Sequence, residues 1–457
     1  MDRRDFLKYI GLGAVAGAAT ACGVSTKDDS AASAAGTGEM TYRTNPNTSD
    51  RVSILGYGCM RLPTKKEMVD GEQTDVLDQE AINRSVDYAM EHGVNYYDTS
   101  PAYCRGKSEE AMGIALSRHP RESYLIATKL SNFSPETWPR ERSIEMFENS
   151  LKYLRTDYVD YLLLHAIGGG GMATFADRYE KNGILQWLIE QKEAGRIRNL
   201  GFSYHGDVEV FDQMLARHDR GEVHWDFVQI QMNYIDWLNA EKSGAINADY
   251  LYGELRKRDI PVVIMEPLLG GRLAKVSDPI VTKMKQRRPD DSVASWAFRF
   301  AGTPDGVLTV LSGMTYMEHL VDNVRTYSPL EPLSDDEQQF LQRTALEILA
   351  NDVVPCTDCK YCMPCPYGVD IPGTFAHYNK CINADRVPRS GSDPNYAAAR
   401  RAFLIGYDRS VPRLRQAEHC IACGRCLSHC PQGIDIPARL ADIASYTSQL
   451  RLNHPKP

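Results

Sequence analysis

Apolar and polar positions between residues 50 and 315 follow two alternating rhythms. Short, β-rich apolar runs recur at VSILGYG (52–58), VNYYDTS (94–100), YLIATK (124–129) and YVDYLLLHA (158–166). The series continues with IRNLGFSY (197–204), FVQIQMN (227–233), PVVIMEP (261–267) and VLTVLSG (307–313). Between them lie helix-length stretches such as DQEAINRSVDYAMEHG and RERSIEMFENSLKYLR, in which apolar residues return every three or four positions. Gly93 and Gly195 close such stretches, as a helix C-terminus favours. Eight strands, each followed by helical sequence, predict an α/β chain folded as a closed (β/α)8 TIM barrel. The preceding MTYRTNPNTSDRVSI carries Asn-Pro and Asn-Thr turn signals and predicts a hairpin over the barrel floor.

Beyond the barrel the pattern turns helical. PLEPLSDDEQQFLQRTALEILAND begins with Ser334 and Glu337 in S-x-x-E spacing, a capping box, and predicts a linking helix within residues 329–355. Stretches such as NYAAARRAFLIGY, with few β runs, predict a small α-helical ferredoxin-like domain over 356–440 and a tail over 441–457. A segment of the form C…CPxGxDIP occurs twice there, an internal repeat that predicts one two-fold-like unit. The division expected for the whole chain is a signal at 1–22, a flexible Ser/Ala/Gly-rich linker at 23–45, the barrel at 46–328, then the helix and the small domain.

Composition changes this picture little. The chain has 457 residues and a net charge of −8, which leaves no electrostatic footprint for nucleic acid. No segment after the N-terminus has the apolar length of a membrane span.

Its cysteines change it more, for eight of twelve sit in the two repeats. CTDCKYCMPCPYGVDIP holds Cys356, Cys359, Cys362 and Cys365, and CIACGRCLSHCPQGIDIP holds Cys420, Cys423, Cys426 and Cys430. Three cysteines two residues apart, then Cys-Pro, is a spacing that wraps thiolates around a four-iron cube. Paired C-x2-C hooks also hold zinc, but zinc asks for neither the third cysteine nor the Cys-Pro, let alone twice. Eight thiolates match two [4Fe-4S] clusters. In two-cluster ferredoxins the cysteine before proline serves the other cube. Carried over, Cys356, Cys359, Cys362 and Cys430 form one set, and Cys420, Cys423, Cys426 and Cys365 the other. Cys381, between the runs, is expected to be a packed thiol, as are Cys59 and Cys104.

The N-terminus suggests where such a module works. Arg3-Arg4, then Phe6-Leu7-Lys8, precede an apolar stretch of signal-peptide size, the pattern of a bacterial twin-arginine export signal. Ala19-Thr20-Ala21 suits cleavage to a soluble product, while Ala19-Thr20-Ala21-Cys22 resembles a lipoprotein box. Cys22 has no other evident role, which favours a lipid anchor.

A TIM barrel places its chemistry at the C-terminal ends of its strands. There the chain offers Asp98, Tyr103 in the following loop, Lys129 and His165. The expected logic is that Lys129, held by Asp98, lowers the Tyr103 pKa. Tyr103 then gives a proton to a carbonyl oxygen that His165 orients. The four glycines at 168–171 lack a following GK[ST] and read as a flexible substrate-side loop.

With YYDTSPAYCRGKSEEAMG, LIATKL, DYVDYLLLHA, IRNLGFSY and LSGMTYMEHLVDNV in this order, residues 50–325 resemble the aldo-keto reductases. Together with the cysteine runs, the chain resembles the iron–sulfur-containing branch of that family. The resemblance implies Asp98, Tyr103, Lys129 and His165 as a catalytic tetrad, and a nicotinamide dinucleotide bound at the same rim. It implies Ser203 and Gln229, with Gln231 or Asn233, at the nicotinamide amide, and Gly270-Gly271 at the pyrophosphate. Ser312, Gly313, Met314, Asp322 and Asn323 match its adenine-side segment. Gly313 and His319 stand where many relatives grip the 2′-phosphate of NADP with basic residues, so a strong NADP preference is not expected; NAD(P) or a flavin in the same groove remain the alternatives.

Combined, these features predict an exported oxidoreductase that interconverts a small carbonyl and its alcohol. Its electrons come through the clusters from a membrane or periplasmic partner, and a tightly held dinucleotide or flavin turns single electrons into hydride. The alternative is a non-catalytic electron-transfer protein that uses the barrel as a binding scaffold.

Overall fold

A computed structural model describes residues 38–452, except 70, 244, 351–352, 385–386, 389–394 and 431. The twin-arginine segment, Cys22 and most of the linker lie outside the described residues. The described residues form a single compact unit.

A hairpin of β1 (Tyr42–Thr44) and β2 (Arg51–Ser53) comes first, paired antiparallel with Tyr42 opposite Ser53. Asn45 leaves it to donate to the Tyr161 hydroxyl at 2.9 Å and to Asn199 Oδ1 at 3.1 Å, which plugs the barrel floor as the turn signals predict. The first barrel strand is β3 (Leu55–Gly58). A second hairpin follows, β4 (Thr64–Val69) against β5 (Glu72–Leu77). The sequence reading did not separate it, although an Asp-Gly pair marks the turn and Gly71 there has φ +83°.

The remaining barrel strands are β6 (Tyr96–Asp98), β7 (Leu125–Leu130), β8 (Val159–Ile167), β9 (Ile197–Tyr204), β10 (Phe227–Gln231), β11 (Val262–Met265) and β12 (Val307–Ser312). They pair in parallel in chain order, and β12 closes on β3 through Val310 opposite Leu55. All eight predicted strands form. Nearly every strand residue is buried because interior packing covers one face and the helices cover the other. The interior is aromatic: Tyr161 meets Tyr96 and Phe227 edge-on, each at 5.0 Å.

The linking helix runs from Asp335 to Leu349, and both halves of the Ser334–Glu337 capping box are made. Next come helices Ile371–Asn383, Tyr396–Ser410 and Ile436–Arg451. The repeat explains two of them. Asp370 and Asp435 accept the backbone N–H of Gly373 and Ala438, and a proline follows in the first turn. Their apolar faces meet in one core through Ile371, Phe375, Ile436 and Leu440. The boundary expected at 440 is corrected here. The last helix continues to Arg451 with Ile443, Thr447 and Leu450 buried, so residues 441–451 belong to the small domain. Among the described residues no helix is long and apolar enough to cross a membrane.

Candidate active site

The four rim residues come together. Asp98 ends β6 and Lys129 lies one residue from the end of β7. The Lys129 ammonium donates to both Asp98 oxygens at 2.6 Å and to the Thr99 carbonyl at 2.9 Å. Three protons meet three acceptors, which is what lets an ion pair with 1 % and 2 % exposure stay in place. Tyr103 begins a turn in which Cys104 and Arg105 hold φ +50° and +57°. Left-handed backbone at two side-chain-bearing residues is strained, and here it sets the Tyr103 ring beside Lys129.

One expectation is corrected at this point. Lys129 does not hydrogen-bond the Tyr103 hydroxyl; its nitrogen lies 4.9 Å from the ring centroid, and all its protons are committed elsewhere. Burial pushes the Tyr103 phenol well above its ordinary range, and the Asp98 carboxylate adds to the shift. Tyr103 is therefore a firmly protonated acid, suited to an oxygen that becomes alkoxide-like as it is reduced.

His165 stands at 5.9 Å from Tyr103, ring to ring and edge-on. β8 continues two residues past it, and Ala166, at φ +53°, bends the strand there. Burial, then the Lys129 charge, holds His165 well below its ordinary pKa, so the imidazole is neutral. Its Nδ1 lies 2.6 Å from the Ser131 hydroxyl. With Ser131 donating, the ring proton sits on Nε2, free for a carbonyl oxygen.

Several supports of this site have no sequence motif. Ser131 is one, and Ser100 backs it at 2.8 Å. Arg178 is another: it lies in a π-helical turn, Ala176–Glu180, after the glycine loop. From there it donates to the His165 carbonyl at 2.6 Å and to Asn132 Oδ1 at 3.2 Å. A single π-turn at a functional site is a recurrent device, but it leaves no trace in hydrophobic periodicity.

The residues implied for a dinucleotide fare unevenly. Gln229 is 2 % exposed; its amide nitrogen donates to Met265 Sδ at 3.3 Å, and its buried Oε1 has no hydrogen-bond partner. Ser203 Oγ accepts the Ala166 N–H at 2.9 Å. Gln231 and Asn233 both turn to Asp236 Oδ2, each at 2.6 Å. The Gly270 N–H is taken by the Glu266 carboxylate at 2.5 Å, and Gly271 has φ +93°. Asn323 donates to Ser312 at 2.9 Å, and Asp322 accepts from Ser292 at 2.6 Å. Met314 is buried, and the side chain of Arg61 lies across Gly313.

The first cysteine run is pressed onto the same rim. Arg61, after β3, donates to the Thr357 carbonyl and stands 3.9 Å from Asp358. Tyr361, in the same run, is 39 % exposed; burial of its hydroxyl end, then Cys359, Glu266 and Asp98, raise its phenol above the ordinary range. From the second run, Gln432 donates to Gln231 at 3.3 Å.

All eight cysteines of the two runs are free thiols, and they fall into two sets. Cys356, Cys359, Cys362 and Cys430 line one cavity between Phe375 and Ile434. Burial, then the neighbouring thiols, pushes Cys356 up to about 11 and Cys362 up to about 12. Burial also raises Cys426, with Cys420, Cys423 and Cys365 adding to the shift. Cys430 of the second run thus lines the same cavity as Cys356, Cys359 and Cys362 of the first. Among the described residues no three His, Cys, Asp or Glu converge tightly enough to grip one ion. Thiols around a cavity suit a cube, which spreads its ligands wider than a zinc with bonds of about 2.3 Å. Cys381 is buried beside His377 at 3.6 Å, Cys59 is buried under the rim, and Cys104 points to the Met60 carbonyl at 3.5 Å.

Comparison with known proteins agrees with this division. Residues 54–343 match the Aldo/keto reductase family, and residues 355–434 match the 4Fe-4S dicluster domain. An uncharacterized oxidoreductase of Bacillus subtilis, YqkF, is 26 % identical over 324 residues, which covers 65 % of this chain and 94 % of its own. The L-galactose dehydrogenase of Arabidopsis thaliana is 25 % identical over 322 residues, covering 67 % and 94 %. Among solved structures, an aldo-keto reductase from Bacillus halodurans in its holo form superposes with a TM-score of 0.52 at 23 % identity, over 67 % of this chain and 96 % of that one. One from Klebsiella pneumoniae in complex with NADPH gives 0.51 at 22 %, over 68 % and 95 %. At such identities the structural likeness carries the fold alone.

Proposed function

This chain belongs to the aldo/keto reductase family and carries a 4Fe-4S dicluster domain after its barrel; from that premise we propose an oxidoreductase that reduces a small carbonyl, or oxidises its alcohol, with electrons carried by its own iron–sulfur domain. The observation that supports this most is a juxtaposition. One rim holds the Asp98–Lys129 pair, Tyr103 and a neutral His165, and the same rim receives the loop of Cys356, Cys359 and Cys362.

The residues divide the work as follows. His165 Nε2–H donates to the carbonyl oxygen and polarises it. Tyr103 passes its hydroxyl proton to that oxygen as charge builds there. Lys129 stabilises the resulting phenolate electrostatically, and Asp98 and the Thr99 carbonyl keep the ammonium in place. Ser131 and Arg178 position His165.

Cys356, Cys359, Cys362 and Cys430 would hold one [4Fe-4S] cluster, and Cys420, Cys423, Cys426 and Cys365 the other. When bound, the clusters supply single electrons. A carbonyl and its alcohol differ by two electrons and two protons; Tyr103 supplies the proton on oxygen, and a two-electron converter such as a flavin would be needed to gather single electrons and deliver hydride to carbon. The reading extends to export by the twin-arginine route, with or without a lipid on Cys22. The electron partner would then be membrane-bound or periplasmic.

A barrel serving only as scaffold has no use for a fully buried ammonium beside a buried tyrosine and a neutral histidine, which favours the catalytic reading. The Tyr103→Phe variant tests it. Turnover should fall by about 100- to 10,000-fold while iron, sulfide and cluster absorbance stay unchanged. Retained turnover would sink the role given to Tyr103, and about four irons per chain in the wild type would sink the two-cluster arrangement.

A further inference from the structure

A dinucleotide at this rim would run from Gln229, past the Gly270 backbone, to the segment around Gly313. The chain itself occupies the middle of that path. A Cβ built on Gly270 would lie 2.3 Å from the Thr357 Cα and 2.5 Å from its carbonyl oxygen. The two backbones are thus in direct contact, and Thr357 is 2 % exposed. Gly270 is glycine because this approach, at φ +66°, leaves no room for a side chain.

The electrostatics point the same way. A pyrophosphate needs backbone N–H groups and cations. The Gly270 N–H already serves the Glu266 carboxylate at 2.5 Å. That carboxyl sits in a strained turn, with Glu266 at φ +54° and Leu269 at φ +47°, so it is built into the loop. Arg61, a cation in reach, is spent on the Thr357 carbonyl and faces Asp358. An incoming dianion would meet a carboxylate, a committed amide and an occupied arginine, and Cys356 and Cys359 flank the obstruction on either side.

We infer that the Thr357–Asp358 segment is a fixed occupant of the dinucleotide groove, and that this chain binds neither NAD(H) nor NADP(H).

The test is binding to the full-length protein, purified anaerobically with its clusters. NADH and NADPH are each added, bound nucleotide is measured by equilibrium dialysis, and the cluster EPR spectra are recorded in parallel. The expected result is no saturable binding up to about 1 mM and unchanged spectra; reductases of ordinary affinity bind in the micromolar range. One-to-one binding below about 100 μM of either nucleotide overturns the inference. So does a shift in the spectrum of one cluster on adding nucleotide, since entry must displace the loop that carries Cys356 and Cys359. Dialysis is independent of the proposed reaction: a Tyr103→Phe result against that reaction would leave it standing.

Discussion

The two cysteine loops share a pattern but not a setting. The first lies against the barrel, with Thr357 buried under Gly270 and its carbonyl accepting from Arg61. The second faces solvent: Cys423 is exposed, and beside it Ile421 and Leu427 are 59 % and 44 % exposed. Arg425, next to them, is exposed as well. A repeated cysteine motif therefore stands in two settings, one against the barrel and one toward solvent.

The comparison breaks most decisively at its ligands. Cys359→Ala and Cys423→Ala should each lower iron from about eight to about four per chain. With a small-molecule reductant, Cys359→Ala should lose turnover and Cys423→Ala should keep it, because only the inner cluster adjoins the tetrad. Equal losses would mean that the two loops are not functionally distinct.

A pH scan probes the barrel against which the first loop lies. Glu109, buried beneath the rim and accepting from Thr128 at 2.5 Å, is pushed up to about 7 by burial. The folded state keeps this proton between its ordinary value of 4.5 and about 7, while the unfolded chain has lost it. Stability of the barrel should therefore fall as pH rises through that window and level off above it. The change is on the order of 3 kcal/mol, at about 1.4 kcal/mol per unit. Glu109→Gln, which resembles the protonated form, should flatten the profile of Tm against pH. An unchanged profile would assign the slope to other groups.

Much of this was legible in the chain. All eight strands, the floor hairpin, the capped linking helix and the meeting of Asp98, Tyr103, Lys129 and His165 on one rim follow from periodicity, caps and spacing, since each is a local pattern or a fixed position on a barrel. The rest depends on contacts distant in sequence. Ser131 becomes a support only because β7 and β8 adjoin, and Arg178 only because a π-turn swings it inward. Gly270-Gly271 offered close backbone approach, and the structure provides one, but the approaching backbone is the chain's own Thr357. The expectation that Lys129 lowers the Tyr103 pKa missed that Asp98 and Thr99 take every lysine proton.

Smaller changes refine how the inner loop is seated. Gly270→Ala puts a methyl into Thr357 and strains a left-handed backbone, costing about 2 kcal/mol. It should alter the EPR signal of the inner cluster and leave the outer one alone; a change in both, or in the outer alone, would contradict the placement. Asp358→Asn removes a half-exposed partner of Arg61 at 3.9 Å and should cost less than about 1 kcal/mol. A larger loss in urea titration would mean that charge pairing, more than backbone contact, holds the loop.

The most direct test of the coupling between barrel and clusters uses no nucleotide at all. The anaerobic full-length protein is reduced, freed of reductant and mixed with a panel of small aldehydes and ketones, and cluster absorbance and alcohol are followed together. The account predicts that at least one carbonyl reoxidises the clusters, with two electrons lost per alcohol formed, and that Tyr103→Phe suppresses this. Alcohol formed only when NADH or NADPH is added, with the clusters still reduced, would contradict it.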